Sequence, residues 1–374
     1  VKSIFLAAPA LLFTALAFAQ TPAPSATPAA PASPSPSASP APTATPTPTP
    51  APLSMREILN VLSDSQLDRA IQSLRANFLD SARTSDRELR RATLEGLIDR
   101  LAPGISVTTE AAAKQQRATF PFLAEILDGR IGYLRLGMLD KEALAQMDAA
   151  LANFNAKGLK AVILDLRGEP ASSNYEMAAE TAKRFCPKGR LLFTIQKPSA
   201  KQERILTSDR DPAFSGILVV LTDAENSGAA EALAATLRKN ANAMIVGATT
   251  RGEAVEFSDV PLGDGKILRV AVAQITIADS GPIFPAGVKP DIAAALPPAV
   301  QTRIFSLSKE KGVSSFVFES ERPHLNEASL VSNTNPEIDP AVLKQNGRDA
   351  LWDTVLQRAV DLVTAISFYN DHGK

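Results

Sequence analysis

The chain has 374 residues, with 40 acidic against 39 basic side chains and a formal net charge of −1 at pH 7. That balance creates no field to draw in nucleic acid or an anionic membrane surface, so neither is expected as a partner. Hydrophobic residues make up 45% of the chain, enough for a globular core, but they are unevenly spread.

Residues 1–19 carry a positive start at Lys2, an apolar stretch, and the small-x-small pattern Ala17-Phe18-Ala19 before Gln20. This pattern predicts a secretory signal peptide cleaved after Ala19, and hence a periplasmic or secreted protein with no stable transmembrane segment. The alternative is an uncleaved anchor. Against it, the stretch is short for a span of about 20 residues and Pro9 interrupts it. Residues 20–52 form the next segment, and after Gln20 they contain only Thr, Pro, Ala and Ser. Such a composition buries no apolar surface and predicts a disordered or polyproline II linker, reaching on the order of 100 Å if extended. Composition alone does not decide whether its hydroxyls are glycosylated.

Residues 53–104 predict a helical segment. Ser54-x-x-Glu57 is a capping box, followed by Ile58, Leu62, Leu67, Ile71, Leu74 and Phe78 at helical spacing. Ser85-x-x-Glu88 opens a second helix, which Pro103-Gly104 ends. Residues 105–130 are a short connector. Within 131–298, the runs 131–136, 161–164, 191–195, 217–221 and 243–246 predict strands, and 141–155, 175–185 and 229–239 predict helices. Strands such as Ala161-Val162-Ile163-Leu164 are apolar on both faces, as in a mostly parallel sheet flanked by helices, so the fold class is α/β. Residues 255–275 predict a hairpin about Gly263-Asp264-Gly265. Residues 299–374 form a C-terminal extension with a final helix over 349–368.

Cys186 is the sole cysteine, so no internal disulfide is expected, and its neighbours Phe185 and Pro187 point to buried filler. His324 and His372 have neither a cysteine nor a second histidine at ligand spacing. No metal site and no cofactor are expected.

Four motifs appear in order: Ile131-Gly132-Tyr133-Leu134-Arg135-Leu136, Ala161 to Arg167 ending in Asp-Leu-Arg, Val246 to Gly252, and Gly287-Val288-Lys289-Pro290-Asp291. Together they resemble the C-terminal processing (tail-specific) serine peptidases. The resemblance implies a ClpP/crotonase-like core over roughly residues 54–300. Upstream, Glu88 to Pro103 resembles the helix and turn that precede the family's peptide-binding PDZ module. Only residues 105–130 stand where that module would be, below the size of an independent domain, so the PDZ is expected to be absent.

The family motif Ser-Ala-Ser-Ala-Ser-Glu has its nucleophile at the middle serine. The resembling stretch here is Asn226-Ser227-Gly228-Ala229-Ala230-Glu231, which puts Gly228 at that position. The general base of the family is the lysine of Thr-Phe-Gly-Lys-Gly, and Thr250-Arg251-Gly252-Glu253-Ala254 puts Glu253 there. A serine hydroxyl needs an adjacent base to become a nucleophile, and lysine acts as one only when its pKa falls from about 10.4 toward 7–8. Glycine offers no oxygen, and glutamate carries the opposite charge. The Gly-Gly pair that supports the family's oxyanion loop is replaced in Gly168-Glu169-Pro170-Ala171-Ser172 by Ala171-Ser172, and Glu169 would set a negative charge where an oxyanion forms.

The expected function is therefore an exported serine-type peptidase homologue without proteolytic activity, binding a protein or peptide, with oligomerisation left open. One alternative is an active peptidase using Ser227 with a lysine brought in from elsewhere, such as Lys239, Lys266 or one of another chain, although Ser227 also reads as a helix-capping hydroxyl. A purely structural domain is the other. The site positions are vestigial Gly228 and Glu253, the candidate nucleophile Ser227, and the oxyanion-loop residues Gly168 and Ala171.

Overall fold

The computed structural model describes residues 54–114, 119–317 and 351–372. The expected signal peptide and linker lie outside them. The chain divides into two units, with the boundary at Leu74/Arg75.

In the first unit, α1 (Met55–Val61) has the expected capping box: Glu57 N–H donates to Ser54 Oγ, and Ser54 N–H donates to Glu57 Oε2 at 2.8 Å. The single periodic run from Ser54 to Phe78 is broken. Leu62 is extended, and α2 (Asp64–Asn77) starts afresh. Ser63 and Gln66 explain this, because they exchange the same pair of side-chain bonds as a second capping box.

The second unit starts at Arg75, within the last turn of α2, and continues into α3 (Asp86–Leu101), capped by Ser85 as expected. The segment 105–130 is more than a connector. It supplies β1 (Ile105–Thr109), α4 (Glu110–Lys114) and β2 (Leu123–Leu127), and each strand joins a different sheet.

The first sheet contains β3 (Ile131–Arg135), β4 (Ala161–Asp165), β7 (Ile217–Thr222), β8 (Met244–Gly247) and β12 (Ile292–Ala293), all parallel, with β2 antiparallel at one edge. The second sheet is antiparallel. It orders β1, β10 (Lys266–Ile277), β5 (Leu191–Lys197) and β6 (Gln202–Thr207), with β9 (Val255–Gly263) and β11 (Gly281–Pro282) also paired to β10. The fold is α/β.

Side chains of the parallel strands alternate between two cores. Leu134, Val162, Leu164, Leu218, Val220 and Ile245 face one side. There they meet α5 (Lys141–Ala156), α6 (Tyr175–Ala182) and α7 (Ala229–Ala241), and beyond them Phe193, Ile195 and Ile275 of the second sheet. Tyr133, Ile163, Val219, Leu221 and Val246 face the other side and pack on Val355, Leu356, Ala359, Val360 and Val363 of α9 (Thr354–His372). Each such fully buried aliphatic side chain contributes roughly 1.5–3 kcal/mol. In α8 (Pro298–Lys311), Ile304 and Phe305 form a third small core with Phe316. Cys186 is fully buried in the first core, and burial pushes its thiol up to about 12.

Candidate functional site

The parallel strands end at one edge of the sheet, and the motif residues gather there. Beyond β4, Arg167 is completely buried. Its guanidinium donates to Asp165 through Nε (2.9 Å) and Nη2 (2.6 Å), and to Asp353 through Nη1 (2.9 Å) and Nη2 (2.8 Å). Tyr133 donates its phenol proton to Asp165 Oδ2 at 2.8 Å. Burial works against the Arg167 charge, and the two carboxylates more than restore it. This cluster ties the start of α9 to the end of β4.

Asn226 binds the neighbouring loops together. Its Nδ2 donates to Leu166 O at 2.6 Å, its Oδ1 accepts from Asp223 N–H, and its carbonyl accepts from Arg251 N–H. Gly228 follows as the N-cap of α7, with φ 61° and ψ −118°. This left-handed backbone suits glycine, and space requires it too. A Cβ built there would lie 2.2 Å from the carbonyl oxygen of Ser172. The same oxygen accepts the Ala229 N–H at 2.7 Å, and Ser172 and Gly228 form a parallel bridge.

Glu231, in the first turn of α7, is fully buried. Its Oε2 accepts from the amides of Gly228 (3.0 Å) and Glu253 (2.8 Å). Its Oε1 accepts from the Gly252 amide (2.6 Å) and the Thr250 hydroxyl. Burial pushes its pKa up, against the pull of these four bonds. One carboxylate thus holds the Gly228 backbone and the Gly252–Glu253 backbone together. The helix is capped by this reach-back to Gly228, not by Ser227. The expected capping role of Ser227 does not occur, because the N-cap position falls one residue later.

Gly228 and Glu253 line one cleft of about 170 Å³, together with Ala171, Ser172, Ser227 and Arg269. Glu253 lies 3.8 Å from Arg251 Nη1. Arg269 donates to both carboxyl oxygens of Asp259 and stacks on Phe257, its guanidinium 5.4 Å from the ring centre. Ser227 is 3% exposed. Among the described residues no lysine lines this cleft. Lys239 pairs with Asp279 at 3.3 Å in the last turn of α7, and Lys266 with Asp264 at 3.7 Å in the hairpin turn.

Of the oxyanion-loop residues, Ala171 lines the cleft and Gly168 does not. Gly168 donates its N–H to Asp223 Oδ2 at 2.9 Å, with its α-carbon packed toward Phe120 and Phe305. The expected negative charge of Glu169 is also displaced. The side chain is buried, neither oxygen has a hydrogen-bond partner of normal geometry, and burial lifts its pKa to about 8, outweighing the Leu139 backbone. At neutral pH it is largely uncharged. The roles of Asp353 and Asp223 had no sequence signal, since their partners lie 186 and 55 residues away.

Residues 130–294 match the model of peptidase family S41. The chain is 28% identical over 174 residues to the carboxy-terminal processing protease CtpA of Bacillus subtilis, covering 46% of this chain and 37% of that protein. It is 28% identical over 196 residues to the carboxyl-terminal-processing protease of Synechocystis, covering 51% and 45%. A solved photosystem II D1 C-terminal processing protease superposes with a TM-score of 0.39 at 25% identity, covering 53% of this chain and 49% of that one. The chain spans less than half the length of the curated relatives named here. The family-model match and the two sequence matches support kinship with family S41 and its C-terminal processing proteases.

Proposed function

We propose that this relative of the S41 peptidases is an exported protein that binds a protein or peptide segment and does not cleave it. Gly228 carries this reading. It stands where the resemblance puts the nucleophile, it offers no hydroxyl, and a side chain there would collide with Ser172 O. Three further observations support it. The Ala229 amide, which in serine hydrolases is the kind of donor an oxyanion uses, is taken by Ser172. Glu253 lines the cleft at the base position. The lysines weighed as partners for Ser227 are paired elsewhere.

In this reading the signal peptide delivers the chain to the periplasm or beyond, the Pro-rich segment tethers it, and no PDZ module selects a substrate's C-terminus. Among the described residues no helix is long and apolar enough to cross a membrane. The close Ser172–Ala229 contact also favours the purely structural alternative, in which the cleft holds nothing.

Incubating the full chain with a mixture of unstructured peptides, capturing it, and identifying the bound peptides by mass decides between these. Intact bound peptides are expected, and Glu253→Lys should change which peptides are retained. Bound peptides that are cleaved would overturn inactivity. No retention above an unrelated protein would favour the structural alternative.

A further inference from the structure

A larger cleft lies at the opposite end of the parallel sheet. It has a volume of about 940 Å³ and crosses the N-terminal ends of β3, β4, β7 and β8, with Val363, Ile366 and Asn370 of α9 along one side. Three interstrand spacings of about 4.8 Å make this path about 14 Å long, which matches four extended residues. Ile131, Leu159 and Leu218 lie buried beneath it as part of the core, and its accessible apolar surface comes from the half-buried Met244 and Ile366.

Its charge is one-sided. Arg130, Lys157 and Lys160 line it, and among the described residues no Asp or Glu does. In a chain of net charge −1 this is a local excess of positive charge. Arg130 is partly neutralised by Asp128 at 2.6 Å, whereas the ion pairs among the described residues include neither Lys157 nor Lys160. Lys157 is the C-cap of α5, where a cation offsets the helix dipole, so its presence has a local cause. Lys160 and Arg130 lie outside that last turn, and the dipole does not account for them. All three cations sit where β3 and β4 begin, while Leu218, Met244 and Ile366 lie toward the β7, β8 and α9 side.

We propose that this cleft docks an acidic, amphipathic peptide segment of a partner protein, with carboxylates at the Arg130/Lys157/Lys160 end and apolar side chains along the Met244/Ile366 end. The complementarity is of charge and of length. A single small anion would use the cations and leave the apolar half empty. Binding here is independent of the Gly228 cleft, so the two readings stand or fall separately.

The test is selection from a random dodecapeptide display library on the immobilised full chain, on Lys157→Glu/Lys160→Glu, and on Glu253→Lys. Both lysines are exposed, so the double variant should fold; reversing the charge at the α5 C-cap should lower its melting temperature only slightly, and a cooperative transition checks this. The expected result is an acidic–apolar consensus from the wild type and from Glu253→Lys that disappears in the lysine double variant. A synthetic consensus peptide should then bind the double variant at least about ten-fold more weakly, and should weaken several-fold between 50 and 300 mM salt. The proposal is overturned if no acidic consensus emerges, or if the double variant returns the same one. It is also overturned if phosphatidylglycerol vesicles bind the wild type, lose binding to the double variant, and displace the consensus peptide, for then the site reads a lipid surface.

Discussion

The carbonyl oxygen of Ser172 accepts the Ala229 amide at 2.7 Å and fills the space where a side chain on Gly228 would stand. A substrate carbonyl arriving at this point would meet a backbone acceptor in place of a hydroxyl and a free donor. In the proposed non-cleaving reading, backbone geometry would oppose acyl transfer here alongside the missing hydroxyl.

Gly228→Ala should therefore destabilise the fold by about 2–4 kcal/mol, combining left-handed strain with overpacking against backbone. Gly189→Ala is the control, because its φ is +80° but a Cβ there meets nothing within 4 Å. It should cost only about 1 kcal/mol. Urea denaturation measures both. Equal costs would mean that the Ser172 segment moves aside freely.

Glu231→Gln replaces one carboxylate oxygen with a donor amide. Each oxygen now accepts two bonds, so two donors would lose their acceptor. The expected cost is about 2–4 kcal/mol. Hydrogen exchange at the Gly228, Gly252 and Glu253 amides should speed up more than exchange in β4. Uniform acceleration would show that Glu231 has no local role.

Glu169 sets a pH dependence of defined sign. Its folded pKa of about 8 lies above the usual carboxylate value, so between about pH 4.5 and 8 the unfolded chain releases a proton that the folded chain keeps. Its contribution is fully present below about pH 4.5 and is lost as pH rises through 8. Relative to the wild type, Glu169→Gln should gain stability over that window, by at most about 5 kcal/mol. Denaturation curves at pH 5 and 8 check this. A difference that does not change with pH would contradict the buried, protonated state.

Asp353→Ala leaves the buried Arg167 with Asp165 alone. Removing one partner of a buried pair costs about 3–5 kcal/mol. Because Asp353 precedes α9, amides of that helix should lose protection first. Loss spread evenly over the sheet would argue against this anchoring.

The parallel strands were legible because Ala161–Leu164 and Ile217–Leu221 are apolar on both faces, a pattern that only burial on two sides explains. The Ser54–Phe78 run was misjoined, although Ser63-x-x-Gln66 carried the signal that divides it. β5 looked like its neighbours, but it pairs with β6 and β10 in the other sheet, a choice that nonlocal contacts make. At the site, the resemblance to the peptidase motifs singles out Gly228 and Glu253. The clasp of Glu231, the burial of Glu169 and the Ser172 contact depend on backbone geometry that residue identity does not encode.

The most direct test of the central claim is intact-mass analysis of the full chain after exposure to a fluorophosphonate probe, alongside Gly228→Ser and Gly228→Ser/Glu253→Lys. The account predicts no labelling in any of the three: neither the wild type nor the single variant sets a hydroxyl beside a lysine amine in the cleft, and in the double variant the Ser172 carbonyl still takes the Ala229 amide. Stoichiometric labelling of the wild type at Ser227 would contradict it.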